Sequence, residues 1–176
     1  MRISLIVAID NNNAIGKDNK LLYYIPEDLK RFRKLTTGNT IIMGRNTFRS
    51  LPKGALPNRR NIVLSSNKDA HFEGADHFTS LDLAIKDCKF RDEVLNEPNA
   101  KEIFIIGGQA VYKKALKIAD RLCITHIDAI TQEADTFFPN INMEEWKQTC
   151  NEKHLADEKN KYNFSFIDLE RINPND

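Results

Sequence analysis

The chain has 176 residues, 41% of them apolar, with 26 Lys plus Arg against 25 Asp plus Glu. That length fits one domain whose core is large enough to fold unaided, and a net charge of +1 argues against a nucleic-acid coat protein without excluding local basic clusters for small anions. No apolar run reaches the ~18 residues of a membrane span; the odd, widely separated Cys88, Cys123 and Cys150, with no C-x-x-C, suggest neither a disulfide framework nor a zinc site and make a reducing cytoplasm the simplest compartment.

Ile3–Ile9 is short and almost wholly apolar, as for a buried strand, and lacks the small-residue cleavage site of a signal peptide. Asp10–Tyr24, rich in Asn, reads as one long loop of the kind that forms a functional lid. Pro26 suits the first turn of a helix, Glu27 and Asp28 suit its positive end, and Leu29, Phe32 and Leu35 recur at helical spacing until Thr36-Thr37-Gly38 stops it. Thr40–Met43 is a strand ended by Gly44, followed by a short helix over Thr47–Leu51 and a turn-rich loop, Pro52–Pro57. Asn61–Leu64 is another buried strand, closing on Ser65-Ser66. Ser80 caps a helix over Leu81–Cys88 with Leu81, Ala84, Ile85 and Cys88 on one face. Ile103–Ile106 is a strand running into Gly107-Gly108, Ala110–Leu116 a helix, and Leu122–Ile127 a strand. Trp146–Glu152 and Tyr162–Glu170 are strand-like with no helix between them, hence antiparallel. The expectation is an α/β fold: one domain over residues 1–176, core about 1–171, with a mainly parallel central sheet flanked by helices and an antiparallel C-terminal edge.

Two strand-to-helix junctions are glycine-rich, Met43-Gly44-Arg45-Asn46-Thr47 and Ile106-Gly107-Gly108-Gln109-Ala110. Glycine admits close approach of a ligand to backbone, so a dinucleotide pyrophosphate and plain turn glycines are both open readings. Asp28 is either a helix-dipole partner or a carboxyl among apolar walls, where desolvation raises its pKa and its two oxygens can accept a flat pair of donors. Arginine forks at Arg45 and Arg59 match phosphates and carboxylates, whereas Arg60, Lys53 and Lys68 read as solvated surface charge. His71, His77, His126 and His154 show no metal spacing, and G-x-S-x-G, H-E-x-x-H and the P-loop are absent, which disfavours acyl transfer, zinc hydrolysis and nucleotide kinase chemistry.

Several segments, in order and at near-family spacing, resemble dihydrofolate reductase of the bacterial type. They are Ile15-Gly16, Pro26–Phe32, Ile42–Phe48, Leu56–Ser65, Ile105–Tyr112 and Asp135–Pro139. The resemblance runs from Ile3 to about Arg171. It implies a monomeric cytoplasmic enzyme that reduces 7,8-dihydrofolate to tetrahydrofolate with NADPH, supports one-carbon metabolism, and binds antifolate inhibitors but neither nucleic acid nor membrane. Carried over by residue, it implies that Asp28 grips the pterin 2-amino group and N3–H and promotes protonation at N5. Thr125 would support the pterin through a buried water, and Tyr23 would hold a water near the carboxylate. Ile6, Val7, Leu29, Phe32, Leu51, Leu56, Ile106 and Tyr112 would wall the substrate, with Arg59 on the carboxylate of its glutamate tail.

On the cofactor side the resemblance implies Ala8 and Ile15 at the nicotinamide with Tyr112 flanking it, and Gly16, Asn19, Leu21 and Ile106 as further cofactor-binding residues. Gly44, Arg45, Asn46, Thr47, Leu64, Ser65 and Ser66 would meet the adenosine and phosphates. Gly107 and Gly108 would form the turn at the pyrophosphate, with a cis Gly-Gly peptide, and Gln109, Ala110 and Val111 after them would also bind the cofactor. Asp135 would accept lid N–H groups around Gly16 and Asp18. The chain departs from the family where Leu22-Tyr23 replaces the usual Pro-Trp and where Ala110 replaces an arginine of some bacterial members. A related pterin or pyrimidine reductase and a non-catalytic NADP-binding paralogue are the alternative readings.

Overall fold

The computed structural model describes residues 1–173. In chain order it contains β1 (Arg2–Ile9), β2 (Ala14–Lys17), β3 (Lys20–Leu21), α1 (Pro26–Thr36), β4 (Thr40–Gly44), α2 (Arg45–Ser50), β5 (Arg60–Leu64) and β6 (Asp76–Phe78). There follow α3 (Leu81–Glu93), β7 (Glu102–Gly107), α4 (Gln109–Ala115), β8 (Arg121–Ile127), β9 (Thr136–Phe137), β10 (Trp146–His154) and β11 (Phe164–Arg171). Eight strands form one sheet in the order β10-β11-β8-β1-β7-β4-β5-β6. Six of them, β8 through β6, run parallel; β11 is antiparallel to both β8 and β10. The expected architecture is therefore the observed one.

The period-2 alternation of β1 divides the core. Ile3, Leu5, Val7 and Ile9 pack on one face with Leu81, Ala84, Ile85 and Cys88 of α3 and Tyr112 and Ala115 of α4. Ile6 turns to the other face, joining Ile41, Met43, Val63 and Phe104 under Phe32 and Leu35 of α1 and Phe48 of α2. The Ser80 hydroxyl caps α3 by accepting from the Leu83 N–H at 3.3 Å. Asn61, a buried polar side chain, ties the Leu56 turn by accepting from Leu56 N–H and donating to Leu56 O, both at 2.9 Å.

Three expectations need correction. The Asp10–Tyr24 segment is not one loop: β2 and β3 form a hairpin that β9 extends into a separate three-stranded sheet. Its turn is Asp18-Asn19, both at positive φ (50° and 60°), the conformation a tight two-residue hairpin demands. The helix expected at Thr47–Leu51 starts at Arg45, because Gly44 is extended and the chain enters the helix directly from the strand. Arg60 is not solvated: its side chain is 10% exposed and its guanidinium lies 2.7 Å from both Asp76 and Asp87, joining β6 and α3 to β5.

Candidate active site

The strands end together, and the parallel ones deliver their carboxyl ends to one side of the sheet, where ligands bind in open α/β folds. A cavity of about 600 Å³ runs across the ends of β1, β7, β4, β5 and β6. Its apolar end holds Val7, Ala8, Ile15 and Ile106; its polar end holds Arg45, Asn46, Thr47, Ser65, Ser66 and Ser80. Every residue expected on the cofactor side lines it, including Gly16, Asn19, Leu21, Gly44, Leu64, Gln109, Ala110 and Val111. Its charged residues are Lys20, Arg45 and Lys114, with no carboxylate among the described lining.

Glycine is required at the centre of this wall. Gly107 sits at φ +130°, and a Cβ there would approach Thr47 Oγ1 to 3.3 Å and the Tyr112 ring to 3.5 Å. The Gly107-Gly108 peptide is cis. A concave, cation-lined surface without carboxylates, floored by glycine backbone, fits a polyanionic dinucleotide.

Beside the apolar end lies Asp28. It opens α1, and the Thr125 hydroxyl of β8 donates to its Oδ1 at 2.5 Å. Thr125 is the register partner of Ala8, so the carboxyl stands one strand away from the cavity wall. Burial pushes the Asp28 pKa up; the Thr125 hydrogen bond and the charge of Arg31 oppose it without cancelling it. The carboxyl thus keeps its proton to higher pH than an ordinary aspartate does. Thr125 reaches it directly, a contact the sequence did not reveal. The buried Tyr112 hydroxyl donates to Ile6 O at 2.7 Å, and burial followed by the Asp28 charge keeps it neutral.

Phe32, Leu51, Leu56 and Ile106 pack around Ile6 and Phe104 on the α1 side of the sheet, while Leu29 projects outward at 40% exposure. Arg59 is set by the backbone: its Nε donates to Pro57 O at 2.9 Å and Nη1 to Thr36 Oγ1 at 3.0 Å. Burial, then the Arg33 charge, draws its pKa below the usual guanidinium value.

The hairpin is tied down at both ends. The Asp18 N–H donates to Asp135 Oδ2 at 2.9 Å, and the Asp135 N–H to Gly16 O at 3.1 Å. At its base, the fully buried Asp10 accepts from Asn12 N–H (2.8 Å), Ala14 N–H (3.0 Å), Thr131 N–H (3.2 Å) and the Tyr23 hydroxyl (2.9 Å). Burial works against the charge of Asp10, but these donors outweigh it and hold its pKa down. Tyr23 is pushed up to about 12 by burial and then by Asp10. Its hydroxyl is committed to Asp10 rather than standing free beside Asp28. Nothing in the sequence marks Asp10, one polar residue in an Asn-rich run, and nothing there places Thr79, Ser80, Leu81 and Lys114 in the cavity that they line.

The family model for dihydrofolate reductase matches residues 2–171. This chain belongs to the dihydrofolate reductase family. A dihydrofolate reductase of Haemophilus influenzae is 42% identical over 171 residues, 97% of this chain and 99% of that one. The type 3 dihydrofolate reductase of Salmonella typhimurium is 41% identical over 174 residues, again 97% and 99%. A solved dihydrofolate reductase from Enterococcus faecalis, complexed with NADP(H) and RAB-propyl, superposes with a TM-score of 0.86 at 33% identity, covering 98% of this chain and 97% of that one. In this reductase the whole fold, from β1 to β11, lies within the matched residues.

Proposed function

We infer that this chain reduces 7,8-dihydrofolate to 5,6,7,8-tetrahydrofolate with NADPH, through the site built around Asp28. The observation that carries the reading is one part-buried carboxyl held by Thr125 beside a cation-lined cavity with no carboxylate among its described lining. NADPH, when bound, supplies the hydride that C6 of the pterin accepts. Arg45, Asn46, Thr47, Ser65 and Ser66 would hold its phosphates and adenosine, Gly107 and Gly108 its pyrophosphate, and Ala8, Ile15 and Tyr112 would flank its nicotinamide. Asp28 would accept the 2-amino and N3–H donors of the pterin through its two oxygens and favour protonation at N5. Thr125 keeps one of those oxygens oriented. No side chain acts as a nucleophile; the protein contributes orientation and exclusion of water.

Phe32, Leu51, Leu56 and Ile106 would wall the substrate, and Arg59 would pair with the carboxylate of its glutamate tail. Asp135, bonded to the Asp18 N–H, would hold the β2–β3 hairpin closed over the cavity. Residues 1–176 would act as one unit, a cytoplasmic monomer without nucleic-acid partners. Support comes from the near-neutral charge and the buried, unpaired thiols of Cys88 and Cys123. The test is the near-ultraviolet absorbance of reduced nicotinamide. It should fall when NADPH and dihydrofolate are both present and hold with either alone. NADPH binding without any such loss would move the substrate to another pterin or pyrimidine.

A further inference from the structure

Asp28 and Arg31 stand at i and i+3 of α1, on one face of the helix. Both reach the antiparallel edge of the sheet. Asp28 receives the Thr125 hydroxyl from β8. Arg31 donates from Nη2 to Asp168 Oδ1 of β11 at 2.6 Å, and its guanidinium carbon lies 4.6 Å from the centre of the Phe166 ring. Phe166 is the register partner of Thr125. The two anchors of α1 therefore sit side by side on adjacent strands.

A purely structural role accounts poorly for Arg31. Its Nη1 is buried with no hydrogen-bond partner among the described residues, which costs stability. Asp168 has a second cation in Arg121, whose Nη2 lies 3.0 Å from Oδ2, so it does not depend on Arg31 for neutralisation. A methionine of similar length would cover Phe166 and leave no orphaned donor. What methionine lacks is the charge.

We propose that Arg31 is a positioning residue for the reduction: seated between Phe166 and Asp168 on the strand beside Thr125, and one helical turn from Asp28, it presents a fixed positive charge to that carboxyl. The proposal rests on the reading of Asp28 as the proton-handling group. The groups facing Asp28 are Arg31 on its own helix, the Thr125 hydroxyl on β8 and the neutral Tyr112 phenol on α4. Those facing Arg31 are Asp168 on β11 and, on β8, the Cys123 thiol and Arg121, whose Nη1 lies 3.6 Å from Glu102 of β7. Burial raises the Asp28 pKa most; Thr125 and then Arg31 lower it. Asp168 screens Arg31, so its effect is smaller than that of a bare neighbouring charge.

The experiment is a titration of the free protein, following the isotope-labelled Asp28 carboxyl carbon by NMR, with Asp28→Asn used to assign the signal. Arg31→Met should raise the Asp28 midpoint by about 0.5–1 pH unit, and Arg31→Lys should restore most of the original value. Asp168→Asn should lower the midpoint, because it removes the screen and leaves the Arg31 charge unopposed. Opposite shifts from the two members of one ion pair are the signature of a field; loosened packing would move both the same way. An unchanged midpoint in folded Arg31→Met, or shifts of one sign in both variants, overturns the proposal. No substrate is present in the titration. An inactive wild type would defeat the functional reading and with it the role of Arg31 in the reduction, while the titration reports separately whether Arg31 acts on Asp28.

Discussion

Asp28 should weaken the fold once its carboxyl ionises. Burial raises its pKa in the folded chain, with Thr125 and Arg31 opposing incompletely. Below the ordinary carboxyl value, folded and unfolded chains both hold the proton. Between that value and the raised one, only the folded chain holds it, so stability falls as pH rises. Above the raised value both are ionised, and the lost stability is not regained. The slope at full separation of the two pKa values is about 1.4 kcal/mol per pH unit. Asp28→Asn has no such dependence, is nearly the same shape, and its side-chain oxygen can still accept from Thr125. The two proteins should therefore be equally stable in acid. The variant should gain on the wild type at up to that slope through the window, then keep a constant lead above the raised value while losing turnover. Urea unfolding of both proteins across a pH series measures the difference directly. A difference that is flat in pH, or one that favours the wild type increasingly as pH rises, would refute the reasoning, the latter meaning that attraction rather than burial dominates at the carboxyl.

Arg60→Met removes the partner of Asp76 and Asp87 and should cost roughly 2 kcal/mol in chemical denaturation, a figure kept low because Asp76 is half exposed; a loss below about 0.5 kcal/mol would put Arg60 back among ordinary surface charges. Gly16→Ala places a Cβ 2.8 Å from Thr136 Oγ1 and 3.0 Å from Lys20 O. The β2–β9 pairing should open, with amide exchange at Asp18 speeding up about tenfold or more while global stability changes little; unchanged exchange would mean that the Thr136 hydroxyl simply turns away. Thr125→Val removes the donor to Asp28 Oδ1 and should raise the pH midpoint of the reduction by roughly one unit or more; a midpoint that stays or falls would separate Thr125 from the proton.

The elements that could be read ahead of the structure carry their own periodicity. β1 alternates between two core faces, α1 begins on Pro26 and shows Phe32 and Leu35 at helical spacing, and Ser80 announces α3. The β2–β3 hairpin was illegible because strands of four and two residues are too short for a period, although Asp18-Asn19 is a recognisable turn pair in retrospect. β6, at three residues, failed for the same reason, and the cavity residues just after it, Thr79 and Ser80, went with it. The cofactor side was legible because glycine-rich junctions follow strands that do show. Arg60, Asp10 and Arg31 were not, because each owes its environment to partners far along the chain: Asp76 and Asp87, Thr131, and Asp168.

The most direct measurement compares wild type with Asp28→Asn for NADPH oxidation by dihydrofolate, alongside NADPH binding to each. The account predicts rapid oxidation by the wild type, near-complete loss of turnover in the variant at neutral pH with partial recovery in acid, and equal NADPH affinity in both. Full turnover by Asp28→Asn would contradict it.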